Sequence, residues 1–121
     1  VESGLALNSE SELKLENGFA AFTKDFFDNG AYVIENNQTH EVSLRDPEGK
    51  NYLNVYFPEA PLFGLWSAEK KNAPYAAIEP WFGRCDKEDF NGSLEEREWG
   101  HALAQGACFQ AAYTIEIAGE D

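Results

Sequence analysis

Apolar and polar residues alternate in short segments along this chain, as they do in β-strands whose two faces meet different surroundings. Strands are predicted at residues 31–34, 42–44, 53–57, 76–79 and 109–117. In one of them, Leu53, Val55 and Phe57 would share a face, with Asn54 and Tyr56 on the other. The last segment alternates over nine residues and predicts a long strand with one buried and one solvated side.

Turn-forming sequences rich in Asn, Asp and Gly separate these segments at intervals of about ten residues, a rhythm typical of all-β proteins. They lie at residues 16–18, 28–30, 35–37 and 46–49. Helix is predicted only as two single turns, at residues 23–27 and at a capping box that runs from Ser93 to Glu96. The pattern therefore predicts an antiparallel β-sandwich, small or half of a larger one, whose open strand edges a larger partner would cover.

Composition narrows the class of protein. The 121 residues carry a net charge of −13, and 43% of them are hydrophobic. This size fits one domain, and the apolar content is too high for a disordered acidic tail. Binding to nucleic acid or to an anionic membrane is not expected, because it requires clustered cations. The sequence has no apolar run of membrane-spanning length, and its start, VESG, lacks the basic and apolar regions of an export signal. We therefore expect a cytoplasmic protein.

Metal and nucleotide chemistry lack their usual sequence patterns. His40 and His101 are isolated and read as structural or surface residues, and Cys85 and Cys108 are too far apart in sequence for a zinc motif. The two thiols could form one bridge or be small buried hydrophobes. Acidic residues 86–98 predict a solvated charged loop, with calcium binding and the docking of a protein partner as alternatives.

One carboxylate stands out because of its apolar neighbours. Glu79 ends an apolar strand and is followed by Pro80 and Trp81, and a second indole, Trp66, lies upstream. A carboxyl group among apolar side chains suits general acid–base chemistry, and flat aromatic rings can pack against the C–H face of a sugar. These residues predict a carbohydrate site. The alternative is a core tryptophan beside an exposed glutamate.

Several segments resemble, in order, the C-terminal part of aldose 1-epimerase-like proteins, and the LacX-type galactose mutarotase relatives in particular. They are LFGLWS at residues 62–67, APYAAIEPWFG at 73–83 and the strand at 109–117 introduced by Gly106. An upstream segment, FFDNGAYVIE at 26–35, is also similar to the family. The likeness covers nearly the whole chain.

The resemblance implies a galactose-mutarotase-like β-supersandwich and an isomerase that interconverts the α and β anomers of an aldose without a cofactor. Glu79 matches the glutamate that the family uses as base on the anomeric hydroxyl. By their place in the same motifs, Trp81 and Trp66 would line a pocket for a galactose-type or glucose-type sugar. No metal ligand is implied.

The chain also departs from the family pattern. The family's acid histidine belongs to an upstream half that has no counterpart here, and His40 and His101 do not match it. Residues 1–121 are therefore expected to be the C-terminal fragment of one aldose 1-epimerase-like domain, inactive or nearly so alone. Its expected partners are the sugar and the missing N-terminal half, with self-association through strand edges possible. The alternative function is a non-catalytic carbohydrate-binding or regulatory module.

Overall fold

The computed structural model describes residues 4–119; residues 1–3, to which part of the export-signal prediction applies, lie outside the described part. Six strands form two antiparallel sheets. They are β1 (Tyr32–Ile34), β2 (Glu41–Arg45), β3 (Asn51–Tyr56), β4 (Leu62–Trp66), β5 (Ala77–Trp81) and β6 (Thr114–Ile117). The first sheet has the order β1-β4-β5 and the second has the order β2-β3-β6. The predicted all-β antiparallel architecture is confirmed.

The two sheets share one hydrophobic core, as expected for a sandwich. Val55 from β3 packs in one cluster with Phe63 and Leu65 from β4, and Phe57 is completely buried in it. Ile78 of β5 packs against the same cluster. Since side chains alternate along a strand, this apolar contact defines an inner face for each sheet and leaves an outer face on the opposite side.

Turn chemistry explains why the chain reverses where it does. Asn17 and Gly18 both have positive φ, at 52° and 84°, and the flanking residues Glu16 and Phe19 are paired across the turn. Asn36 and Asn37 also have positive φ, at 65° and 55°, directly after β1. Asparagine tolerates this left-handed region better than other non-glycine residues, so these turns are encoded locally.

The ends of the chain and the helical turns differ from the predictions. The last strand covers only residues 114–117, and Ile115 and Ile117 are exposed although their partners in β3, Val55 and Leu53, point into the core. The predicted long strand with a buried side is therefore wrong. Residues 24–29 form successive hydrogen-bonded turns instead of a capped helical turn. The predicted turn after Ser93 is confirmed as a 3-10 helix, Leu94–Glu96, in which the Ser93 backbone N–H donates to Glu96 Oε2 at 2.7 Å.

A polar network crosses the outer face of the second sheet. Asn54 is buried in β3, where Ser43 Oγ donates to its Oδ1 at 2.6 Å and its Nδ2 donates to Glu116 Oε2 at 2.6 Å. The Tyr56 hydroxyl donates to the same oxygen at 3.0 Å. The hydrogen bonds from Asn54 and then Tyr56 lower the pKa of Glu116. The network ties the edge strand β6 to the middle strand β3.

Candidate functional site

The structure places the three residues predicted for the site on one face of the first sheet. In the β4–β5 register, Glu79 lies opposite Gly64, Trp81 opposite Leu62, and Trp66 opposite Ala77. Residues directly opposite in an antiparallel pair project to the same side. The alternate positions Phe63, Leu65 and Ile78 point into the core. Glu79, Trp81 and Trp66 therefore share the outer face.

Glu79 and Trp81 are in direct contact. Trp81 Nε1–H donates to Glu79 Oε2 at 3.1 Å, and both side chains are half-buried. The contact joins residues i and i+2, which lie on the same side of a strand. Pro80 between them faces the inner side, and it is tolerated because β5 is an edge strand of its sheet.

Gly64 makes room for this pair. A Cβ at Gly64 would lie 2.9 Å from Trp81 Cζ2, closer than real Cβ atoms approach, and 3.2 Å from Cε2, which is tighter than most such contacts. The indole of Trp81 therefore lies across the glycine of the neighbouring strand. The role of Gly64 could not be predicted from the sequence, since only the strand register reveals that it faces Glu79.

Trp66 lies one step farther along the same face, at the end of β4, with 37% of its surface exposed. Its ring lies 5.8 Å from the ring of Tyr75, centroid to centroid. Tyr75 is held nearby because the Ser67 hydroxyl donates to its backbone carbonyl at 2.7 Å. Tyr75 belongs to the motif at residues 73–83 but was not predicted as a site residue; its spacing from Trp66 contains no periodic signal.

An open depression of about 470 Å³ adjoins the Trp81 end of this face. Trp81, Phe82 and Gly83 line it together with Arg84 and Cys85. Gly4 and Pro80 complete its lining, and Glu79 is not among the residues that line it.

Arg84 anchors the chain that leaves the site. Its Nε donates to Glu35, its Nη2 donates to Glu98, and its Nη1 donates to the Cys85 carbonyl at 2.8 Å. Desolvation of the buried guanidinium acts to lower the pKa of Arg84, but the hydrogen bonds with Glu35 and Glu98 outweigh it and raise that pKa. The hydrogen bond from Arg84 lowers the pKa of Glu98.

Ion pairs hold parts of the acidic segment, residues 86–98, in place, in contrast to the freely solvated loop that was predicted. Besides the Arg84–Glu98 pair, Arg97 Nε donates to Asp86 Oδ1 at 2.7 Å, and Lys87 Nζ lies 3.5 Å from Glu98 Oε1. Within residues 4–119, no group of three His, Cys, Asp or Glu side chains could hold a metal ion. The carboxylates at positions 86 and 98 serve ion pairs that fold this segment onto the sheet. Glu95, Glu96 and Glu98 are nevertheless exposed to solvent.

The two histidines bind backbone carbonyls, and both thiols are free. His40 Nδ1 lies 3.2 Å from the Phe57 carbonyl, and His101 Nε2 contacts the Phe82 carbonyl. These contacts agree with the structural role predicted for both. Cys85 is half-buried and Cys108 is exposed, and neither forms a disulfide. In the described part of the chain, no helix is long and apolar enough to cross a membrane.

Comparison with known proteins identifies relatives of one kind. Protein LacX of Lactococcus lactis subsp. lactis is 27% identical over 88 residues, which are 73% of this chain and 27% of LacX. A galactose mutarotase related enzyme from Lactobacillus acidophilus matches 83% of this chain with 33% identity and a TM-score of 0.72. A galactose mutarotase-like protein from Lactobacillus casei ATCC 334 matches 80% with 26% identity and the same TM-score. No protein-family model matches the sequence.

The matches cover only part of each relative. The chain spans 34% and 33% of the two solved structures, in addition to the 27% of LacX. It therefore corresponds to about a third of the length of the proteins that it resembles.

Proposed function

We propose that this chain is the C-terminal portion of a domain that interconverts the α and β anomers of an aldose. The premise is that the chain belongs to the aldose 1-epimerase-like family. Glu79 is the general base of this reaction, and Trp66 and Trp81 border the sugar. The observation that carries the proposal is the position of the Glu79 carboxylate, on the outer face of the sheet between two indole-bearing positions of adjacent strands.

The proposed reaction needs a base and an acid. The Glu79 carboxylate takes the proton of the C1 hydroxyl while the bond between C1 and the ring oxygen breaks and the ring oxygen gains a proton. Rotation about the C1–C2 bond then presents the other face of the aldehyde. The ring oxygen attacks that face as Glu79 returns the proton, and the acid regains its own. No atoms are lost, and the reaction requires no redox step.

The acid is proposed to come from outside these residues. His40 and His101 both contact backbone carbonyls, and neither lies on β4 or β5, the strands that carry the proposed site. The short coverage of the relatives supports an upstream part of the domain as the source. We therefore expect residues 1–121 alone to be inactive or nearly so and to bind that upstream part. A cytoplasmic location and self-association also remain predictions.

Polarimetry tests the proposal. Fresh α-D-glucose and α-D-galactose are followed with the chain alone and with the chain joined to its upstream part. We expect faster decay of optical rotation only with both parts, and a loss of about two to four orders of magnitude in kcat in Glu79→Gln. Glu69→Gln, an exposed residue outside the site, is the matched control. Unchanged rates in Glu79→Gln would remove Glu79 from the mechanism. Sugar binding without catalysis in any sample would favour a non-catalytic carbohydrate-binding module.

A further inference from the structure

We infer that Trp81 is a positioning residue, which orients the carboxylate of Glu79 through its indole N–H, and that Gly64 supplies the space that the indole needs. The inference rests on the proposed function, because it gives Glu79 the role of base. It assigns Trp81 a role different from that of a surface on which the sugar stacks.

The hydrogen bond defines which carboxylate oxygen is available. Trp81 Nε1–H donates to Oε2 at 3.1 Å, and this is the hydrogen bond that the Glu79 carboxylate makes within residues 4–119. Oε1 is left as the oxygen that takes the proton of the substrate. A glutamate side chain has three rotatable bonds, so a fixed donor restricts the directions in which its free oxygen can point.

The indole is itself held in place by the neighbouring strand. Three atoms of its six-membered ring, Cζ2, Cε2 and Cη2, lie within 3.4 Å of where a Cβ of Gly64 would be. Gly64 is the residue directly opposite Glu79 in the β4–β5 register. A side chain at position 64 would therefore displace the ring that orients Glu79.

This geometry limits what Trp81 can offer a sugar. Part of the ring lies against the backbone of β4, and the indole is half-buried. Trp66 is the indole on this face with the larger exposed fraction, and its neighbouring ring is that of Tyr75. The two tryptophans therefore have different roles: Trp81 orients the Glu79 carboxylate, and Trp66 provides a surface for binding the sugar.

A nuclear magnetic resonance experiment on this chain tests the contact without requiring catalysis. The sequence contains three tryptophans, so its spectrum has three indole N–H signals, and the signal lost in Trp81→Phe belongs to Trp81. We expect this signal to shift on acidification in the natural sequence and not in Glu79→Gln. Unchanged signals from Trp66 and Trp99 in each variant show that it has folded. The same shift in both proteins would overturn the inference.

Kinetics test the positioning role in the chain joined to its upstream part. Trp81→Phe keeps a ring over Gly64 but removes the donor, so we expect kcat to fall about tenfold with KM within about twofold. Gly64→Ala should reduce kcat in the same way. In a Glu79→Gln background, Trp81→Phe should have no further effect, because it acts through the carboxylate. A rise in KM at constant kcat would instead identify Trp81 as a sugar-stacking residue and overturn the inference.

The two experiments separate the inference from the function on which it rests. If the natural sequence shows no mutarotation while the Trp81 signal still follows the Glu79 carboxyl, the proposed function fails and the contact stands. If mutarotation depends on Glu79 while the Trp81 signal shifts equally in the natural sequence and in Glu79→Gln, the function stands and the inference fails.

Discussion

Arg84 and Glu35 are joined by a hydrogen-bonded ion pair across 49 positions of sequence. The guanidinium is 1% exposed and the carboxylate is 25% exposed. The pair fastens the chain that follows β5 to the end of β1, the opposite edge strand of the same sheet. It therefore holds the segment that follows β5, beside the candidate site, against the first sheet.

Arg84→Lys should lower the free energy of unfolding by about 2–3 kcal/mol. One ammonium group cannot replace the three directed bonds to Glu35, Glu98 and the Cys85 carbonyl, and its charge would stay buried. Arg97→Lys is the matched comparison, since the Arg97–Asp86 pair is partly exposed and should lose at most about 1 kcal/mol. Urea unfolding followed by tryptophan fluorescence measures both. Equal losses would contradict a special role for Arg84.

Stability should fall on acidification partly because of Glu98. The hydrogen bond from Arg84 lowers the pKa of Glu98 in the folded chain below its usual value of 4.5. The stabilisation is therefore complete above that usual pKa and is lost as the pH falls through the lowered value. The urea midpoint should drop less between about pH 6 and pH 3 in Glu98→Gln than in the natural sequence. Glu59→Gln is the control, because Glu59 is exposed, and it should keep the acid sensitivity of the natural sequence. If the urea midpoints of Glu98→Gln and Glu59→Gln fell equally with pH, Glu98 would not contribute to the acid sensitivity.

Asn54→Asp should destabilise the second sheet at neutral pH by about 2 kcal/mol or more. The substitution replaces the amide that donates to Glu116 with a second carboxylate. One of the two carboxyl groups would then have a raised pKa in the folded state, so the deficit should shrink as the pH falls and that group binds a proton. Urea unfolding at two pH values checks this. Asn91→Asp, at an exposed position, is the control; a deficit independent of pH would argue against charge repulsion.

Trp66→Ala should weaken sugar binding with little effect on folding. An exposed indole contributes little to the core, while removing an aromatic contact from a ligand commonly costs about tenfold in affinity. We expect a rise in KM for the aldose, measured by polarimetry on the chain joined to its upstream part. The urea midpoint should change little. Tyr75→Phe, which keeps the neighbouring ring, should retain the natural KM. A loss of kcat at constant KM would exclude Trp66 as a binding surface.

The sequence was most informative where local chemistry decides structure. The turns at Asn17-Gly18 and Asn36-Asn37 could be predicted because these residues favour positive φ wherever they occur. Glu79 stood out by its apolar neighbours, and the resemblance added its expected role as base, which stays a prediction; the strand around it was predicted to within two residues at its end.

The central strand of the first sheet was not predicted. β4 has its first four residues buried, so its two faces are apolar and its sequence does not alternate. The opposite error occurred at residues 109–113, where a regular alternation predicts a strand but the structure has none. Alternation shows that a segment could pair; whether it does depends on a neighbour that local sequence does not reveal.

The contacts that shape the site are also non-local. Gly64 and Glu79 become neighbours only through strand register, and Arg84 binds Glu35 across 49 positions of sequence. A register shift of one residue would move every side chain of β5 to the opposite face. Such relationships follow from three-dimensional packing and leave no trace in composition or period.

The edge strand β6 could pair with strands of other molecules, so this chain depends on electrostatic repulsion to stay separate from its copies. One edge of β6 pairs with β3, and its apolar residues Ile115 and Ile117 lie exposed on the core-facing side of the sheet, opposite Val55 and Leu53. Near neutral pH the net charge of −13 holds copies apart. Toward the isoelectric point of 4.4 that repulsion vanishes, and strand edges of different molecules become free to join. Acidity thus governs the colloidal stability of the chain as well as its folding.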